Sequence, residues 1–333
     1  MIVDMPLADL MKYRPALTSP PDFDAFWEQT LAQSASQPLR VQREPVAYPV
    51  GRVSVARVTF DGFSSDQRGD TGKTRICGWK LTPREPLHVG PDGKQAAIVV
   101  FHGYSGSKRV PAAHLRWALQ GFHVFAVDTR GQDGDTPDNQ AYPTGAALGC
   151  MTRGIDDPLT YYYRFAFMDC VRAVQVARAE PEIGPMLLTG RSQGGGLTLA
   201  VAALSPDQAI ALAMPDVPYL CHFVRAVEIF SDGPYQELVN HWQAHPGSVE
   251  RNFRTLSYFD GMNLAPRVTC PTLLSLGLLD TICPPSTGFA VYNHLGTSEK
   301  AISVYPFNGH EGGDILHEEE QYRFVRQRLA IEE

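Results

Sequence analysis

Met186-Leu187-Leu188-Thr189-Gly190-Arg191-Ser192-Gln193-Gly194-Gly195-Gly196-Leu197-Thr198-Leu199-Ala200 is the stretch whose reading decides the fold. Its first residues form a short apolar run of strand type, and from Leu197 onward the text is helical. Between the two, the chain has to reverse direction within a few residues. Gly190 and Gly194 to Gly196 carry no Cβ, so the backbone can pass close to itself there. A serine at such a turn stands at the end of a strand with its hydroxyl exposed, above the N-terminus of the next helix. G-x-S-x-G by itself also matches plain small-residue turns; the preceding strand and following helix give it meaning.

Outward from this stretch, strand-length apolar runs alternate with longer segments of helical period. The runs are 96–101, 122–127, 186–189, 209–213, 272–276 and 301–305, and the helical segments are 111–120, 159–178, 193–204, 286–294 and 315–329. Such alternation predicts an α/β protein with a mostly parallel central sheet and helices on both faces. Two regions break it. Residues 1–60 predict an N-terminal helix opening at Asp22-Phe23-Asp24-Ala25-Phe26-Trp27, followed by antiparallel strands on the sheet edge. Residues 215–266, rich in Tyr, Phe, Trp and His, predict a helical cap inserted between strands, so that 1–333 form one domain. A surface loop is expected at 84–95 and a turn at Arg68-Gly69-Asp70. Packing is expected for Tyr161-Tyr162-Tyr163, and a solvated helix face for Glu318-Glu319-Glu320.

The chain has 333 residues and a net charge of -7, with no run of Lys or Arg, which speaks against nucleic acid as a partner. It shows neither a basic leader with an apolar core nor a stretch of roughly 20 apolar residues, so a cytoplasmic protein with no membrane association is expected. Six scattered cysteines without a C-x-x-C pair predict buried thiols, no metal and no cofactor.

A serine hydroxyl attacks well only when a base removes its proton, and in the α/β-hydrolase fold the order along the chain is Ser, then Asp or Glu, then His. His310 follows the last strand in Tyr305-Pro306-Phe307-Asn308-Gly309-His310-Glu311, whereas its nearest rival, His317, reads as a solvated helical position. Asp280 follows the 272–276 strand and is the candidate acid, although an Asp there also serves as a helix cap. Asp260 and Asp314 are runners-up that follow no strand. The candidate oxyanion donors are the backbone N–H groups of Gln193 and of Tyr104, the latter in the glycine-bearing turn His102-Gly103-Tyr104-Ser105-Gly106. Arg130, just past the strand that runs toward Asp128, suits pairing with a carboxylate or carbonyls.

These residues carry a family likeness. Met5-Pro6-Leu7, Tyr13-Arg14-Pro15, Asp22-Phe23-Asp24 and Phe26-Trp27 belong to it, and Arg130-Gly131-Gln132, Gly190-Arg191-Ser192-Gln193-Gly194-Gly195-Gly196 and His310-Glu311 form its signature. Asp216-Val217-Pro218 and Met262-Asn263-Leu264-Ala265-Pro266 extend it. The chain resembles carbohydrate esterase family seven, the acetyl xylan esterase and cephalosporin C deacetylase group, along almost its whole length. The resemblance implies a serine deacetylase acting on small acetylated substrates through an acyl-enzyme. It implies Ser192, Asp280 and His310 as triad, Tyr104 and Gln193 as oxyanion donors, and Arg130 and Gln132 as organisers of the surrounding loops. A homohexamer, a trimer of dimers around an inner cavity, is implied as well. The chain departs from the pattern at the acidic Asp133-Gly134-Asp135-Thr136-Pro137. A broad carboxylesterase or serine peptidase of the same fold, or a non-catalytic binding protein, are the alternative readings.

Overall fold

Residues 3–65, 73–89, 92–143, 149–205, 210–229 and 233–331 are described by the computed structural model. In chain order they form α1 (Leu7–Leu10), α2 (Phe23–Ala35), β1 (Gln42–Val46), β2 (Val53–Asp61), β3 (Arg75–Pro83), β4 (His88–Val89), β5 (Lys94–Phe101), α3 (Leu115–Ala118) and β6 (His123–Val127). There follow α4 (Tyr162–Arg178), β7 (Ile183–Arg191), α5 (Gln193–Leu204), β8 (Ile210–Asp216), α6 (Phe223–Ile229), α7 (Tyr235–Ala244), α8 (Val249–Phe259) and α9 (Gly261–Leu264). The chain closes with β9 (Thr272–Gly277), α10 (Pro285–His294), β10 (Lys300–Tyr305) and α11 (Asp314–Arg328).

The strands join in one sheet of order β1-β2-β3-β6-β5-β7-β8-β9-β10, with β4 pairing off β5. From β6 through β5, β7, β8 and β9 to β10, neighbours are parallel. The β1, β2, β3 and β6 neighbours are antiparallel and form one edge. This is the α/β-hydrolase fold. Its inner strands are covered on both sides, which is why they read as unbroken apolar runs. Successive side chains leave a strand on opposite faces. Val99 and Leu188 accordingly join the core beneath α4 and α5, while Ile98 and Leu187 join a second core with Trp117 of α3 and Phe324 of α11.

α5 is buried along its whole length, as a helix that is apolar all round has to be. Its glycines explain how it reaches so deep. A methyl at Gly194 would collide with the Phe101 carbonyl, at Gly195 with that of Asp216, and at Gly196 with that of Tyr219. Two flanking segments, the end of β5 and the stretch from the end of β8 to Tyr219, thus press on the first turn of α5, and any side chain there would push the helix away from the strand ends.

α2 starts at Phe23, and β1 and β2 pair antiparallel at the edge of the sheet. The apolar face of α2 packs on its own chain: Trp27 lies over Phe167 and edge-on to Phe259, Phe26 meets Tyr258, and the Trp27 Nε1–H donates to the Tyr258 carbonyl at 3.0 Å. These rings are therefore covered within the chain itself. Within 215–266, Pro215 and Asp216 end β8, and the helices α6 to α9 follow from Phe223. The 84–95 segment is not simply a loop, because β4 within it pairs antiparallel with β5. The 111–120 helix is broken, a 3-10 turn over Pro111–His114 leading into the single turn of α3. Arg68-Gly69-Asp70 lies outside the described residues. Cys77, Cys150, Cys170, Cys221 and Cys283 are buried, Cys270 is partly so, and all are free thiols. No helix among the described residues is long and apolar enough to cross a membrane.

Candidate active site

Ser192 sits between β7 and α5 at φ 59°, ψ -118°, a conformation that a side chain with a Cβ resists. The surroundings hold it there. Its N–H donates to the Asp216 carbonyl at 2.9 Å, and its own carbonyl accepts from the N–H groups of Gly196 at 3.0 Å and Tyr219 at 2.9 Å. The hydroxyl is thereby aimed at the loop after β10, where His310 waits.

The His310 Nε2 lies 2.9 Å from the Ser192 Oγ, and its Nδ1 lies 2.9 Å from the Asp280 Oδ2. Asp280 is on the loop after β9, its side chain only 1% exposed. The other carboxylate oxygen, Oδ1, accepts from the backbone N–H groups of Ile282 and Cys283, both at 2.8 Å. An acceptor-only carboxylate at Nδ1 requires the proton there, which leaves the Nε2 lone pair facing the serine. The guanidinium of Arg191 ties down the His310 loop by donating to the His310 carbonyl at 2.7 Å.

Other acids and histidines fall elsewhere. Asp260 is buried and accepts from the backbone N–H groups of Met262, His222 and Phe223, so it caps α9. Asp314 is exposed at the start of α11. His317, read from sequence as a solvated position, is instead 2% exposed, with Nδ1 3.1 Å from the Tyr305 hydroxyl, and burial pushes its pKa below the ordinary value. Helical period identified its helix, but only tertiary packing shows which face of α11 turns inward.

The expectation that no metal binds rested on spacing along the chain. The fold brings together Asp280, Cys283 and His310, whose ligand atoms lie within 4.8 Å of one another, a grouping that spacing could not reveal. The histidine and carboxylate atoms are engaged in the hydrogen bonds just described, and burial holds the Cys283 thiol well above its usual pKa. The donors are arranged to pass a proton.

Gln193 follows Ser192 at the first turn of α5, and Tyr104, on the loop after β5, lines the same cavity as Ser192. The turn bearing Tyr104 is braced by His102. The His102 Nε2 accepts the Thr129 N–H at 2.8 Å, so its Nδ1 carries the proton and donates to the Gly103 carbonyl, also at 2.8 Å. Burial lowers the His102 pKa and favours this neutral form.

Gln132 and Gln193 exchange amide hydrogen bonds, from Gln132 Nε2 to Gln193 Oε1 at 2.9 Å and from Gln193 Nε2 to Gln132 Oε1 at 3.2 Å. The Tyr163 hydroxyl donates to the same Gln193 oxygen at 3.0 Å, and the Tyr162 hydroxyl donates to the Arg130 carbonyl at 2.6 Å. The Tyr161–Tyr163 run is buried, so packing accounts for its rings and loop anchoring for two of its hydroxyls. The Arg130 guanidinium is buried and grips Asp169 of α4 with two bonds, Nε to Oδ2 at 2.6 Å and Nη2 to Oδ1 at 2.8 Å; Nη2 also donates to the Phe63 carbonyl at 2.8 Å. Asp169, unforeseen in the sequence, carries no local signal, because it stands in the middle of a helix.

Removing one partner of such a buried pair leaves an uncompensated charge, so Arg130→Met is expected to lose about 3–5 kcal/mol of stability. Urea unfolding measures it; a loss below about 1 kcal/mol, typical of an exposed pair, would show that the buried pair contributes little. The acidic 133–137 segment is also accounted for: the Lys108 ammonium pairs with Asp128 at 2.9 Å and with Asp135 at 2.8 Å, and the Asp135 N–H donates to Asp128.

Ser192 and His310 open into a cavity of about 590 Å³ whose wall includes Tyr104, Trp117, Pro234 and Ile282. This size is in the range that encloses small organic ligands. A family model described as acetyl xylan esterase matches residues 1–328. The chain belongs to the acetyl xylan esterase family. It is 42% identical to an acetyl xylan esterase from Paenibacillus sp. R4, with a TM-score of 0.89 over 97% of this chain and 99% of that one. It is 30% identical to acetyl xylan esterase 1 from Thermoanaerobacterium sp., with a TM-score of 0.87 over the same shares of the two chains. An acetyl esterase of Xylanibacter ruminicola is 26% identical over 314 residues, which make up 89% of this chain and 65% of that protein. The acetyl xylan esterase family is one of carboxylic ester hydrolases.

Proposed function

We propose that this acetyl xylan esterase family member is a serine carboxylesterase that removes acetyl groups from small acetylated substrates such as xylo-oligosaccharides and cephalosporin C. One observation carries the reading: the unbroken chain of contacts from Ser192 through His310 to Asp280, with 2.9 Å at each link. As the Ser192 Oγ attacks the acetyl carbonyl, its proton passes to the His310 Nε2, and Asp280 stabilises the imidazolium. The carbonyl oxygen gains negative charge, and the backbone N–H groups of Gln193 and Tyr104 stabilise it by donating hydrogen bonds to it. The C–O bond to the alcohol breaks, His310 protonates the leaving oxygen, and Ser192 is left acetylated. Water, activated by His310, attacks that ester and releases acetate, with the proton returning to Ser192. Arg130 and Gln132 act at one remove, by holding the loops and the Gln193 side chain.

The same reading includes a single domain over 1–333, assembled as a homohexamer in the cytoplasm, where buried free cysteines remain thiols. Support for assembly comes from Phe307, Ile315 and Leu316, which are 89%, 68% and 69% exposed on either side of His310. Large apolar side chains grouped in water are commonly covered by a partner. If neighbouring subunits cover this rim, short substrates reach the cavity and long chains do not.

Light scattering is expected to give six times the 36.7 kDa chain mass. Acetate release per acetyl group is expected to be on the order of tenfold faster from acetylated xylo-oligosaccharides than from acetylated xylan. A monomeric mass, or equal rates on oligomer and polymer, overturns the enclosed assembly. Failure to release acetate from p-nitrophenyl acetate, xylo-oligosaccharide acetates and cephalosporin C alike overturns the esterase itself.

A further inference from the structure

The cap reaches the oxyanion loop through one carboxylate. Glu237, on the first turns of α7, accepts the Tyr104 hydroxyl at Oε1, at 2.7 Å, and the Met151 N–H at Oε2, at 3.0 Å. The Tyr104 oxygen in turn accepts the Cys150 N–H at 2.5 Å. Three segments far apart in the chain therefore meet on a single side chain. Gly149 shows how closely they meet, since at its φ of +78° a methyl group would run into the Glu237 carboxylate. Burial raises the Glu237 pKa above its ordinary value, yet the tyrosine hydroxyl and the Met151 amide both arrive as donors, so the acceptor-only, ionised form is the one that fits.

We propose that Glu237 is a positioning residue for the oxyanion hole: by holding the Tyr104 side chain, it fixes where the Tyr104 backbone N–H points. This rests on the reading of Ser192 as nucleophile and of Tyr104 as oxyanion donor. The physical basis is that an oxyanion donor contributes only when it is already aimed at the position that the developing charge will occupy. Tyr104 has a freely rotating Cα–Cβ bond and lies on a turn, where the backbone has few hydrogen bonds of its own to fix it. The Glu237 contact and the edge-on packing of Tyr104 against Tyr219, ring centroids 6.1 Å apart, close off that freedom. Glutamine at 237 keeps the shape and offers one carbonyl oxygen, but turns an N–H₂ toward one of the two donors. Glu237→Gln therefore loosens the clasp without opening a hole in the packing.

The test compares the wild type, Glu237→Gln, Tyr104→Phe and the double variant in p-nitrophenyl acetate hydrolysis and in inhibition by phenylboronic acid. The boronate is bound as a tetrahedral adduct of the serine, with one oxygen where the oxyanion forms. For Glu237→Gln, kcat is expected to fall about tenfold with KM within about twofold, and phenylboronic acid inhibition to weaken by the same factor as kcat. Tyr104→Phe should reproduce both changes, and the double variant should be no worse than the weaker single one, since both act through the same hydrogen bond. Losses that multiply in the double variant, a loss carried by KM, or a fall in kcat with unchanged boronate inhibition would each overturn the proposal and mark Glu237 as a structural residue. If Glu237→Gln does not fold, Tyr104→Phe gives the same kinetic and boronate readings. A wild type insensitive to phenylboronic acid, or a Ser192→Ala variant that binds it equally well, overturns the serine reading instead.

Discussion

Replacing Ser192 with alanine is expected to lower kcat on the order of a million-fold while the protein remains folded. The loss is expected to be large because the proposed mechanism uses serine and histidine as a unit: without the hydroxyl, His310 has no proton to take, and hydrolysis would fall back on water. Stability should hardly change. The unusual φ of 59° is set by bonds from the Ser192 backbone N–H and carbonyl, which alanine retains, and an alanine Cβ bears the same strain as that of serine. The measurement is acetate release by the purified variant, with circular dichroism and thermal unfolding to establish that it is folded. Activity within tenfold of the wild type would mean that the nucleophile is another group.

Asp280→Asn is expected to lower kcat on the order of ten-thousand-fold, for a reason that the hydrogen bonds make specific. The Asp280 Oδ1 accepts two backbone N–H groups, from Ile282 and Cys283, so the carbonyl oxygen of an asparagine has to occupy that side. Its N–H₂ group is then left facing the His310 Nδ1, 2.9 Å away, where the carboxylate oxygen had been. A donor there forces the imidazole into the opposite tautomer, with the proton on Nε2 and no lone pair toward Ser192. The geometry survives and the chemistry does not. Single-turnover release of p-nitrophenol from p-nitrophenyl acetate reads the acylation step directly. A loss smaller than about tenfold would show that another acid orients the histidine.

Much of this site is legible in the sequence because it is built from strand ends. In a parallel sheet the carboxyl ends of successive strands lie on one edge, so residues just past β7, β9 and β10 converge however far apart they are in the chain. Ser192, Asp280 and His310 could therefore be proposed from apolar periodicity, turn glycines and chain order. The paired amides of Gln132 and Gln193 show the limit of such reading. Both residues stand in recognisable family segments, but nothing in either segment says that the two side chains face each other.

What the sequence determined by itself is what depends on neighbours along the chain: the strand and helix alternation, the α/β class, the tight turn at Ser192 and the acidic net charge. Period and glycine placement encode these locally, because backbone sterics and the burial of one face act over a few residues. Only the tertiary structure decided which buried polar groups meet. Asp169 beneath Arg130, Glu237 against Tyr104, Cys283 beside Asp280 and His310, and the inward turn of His317 all join residues from separate elements. Their hydrogen bonds form because a buried donor or acceptor must find a partner wherever packing has carried it, and that requirement leaves no period in the sequence.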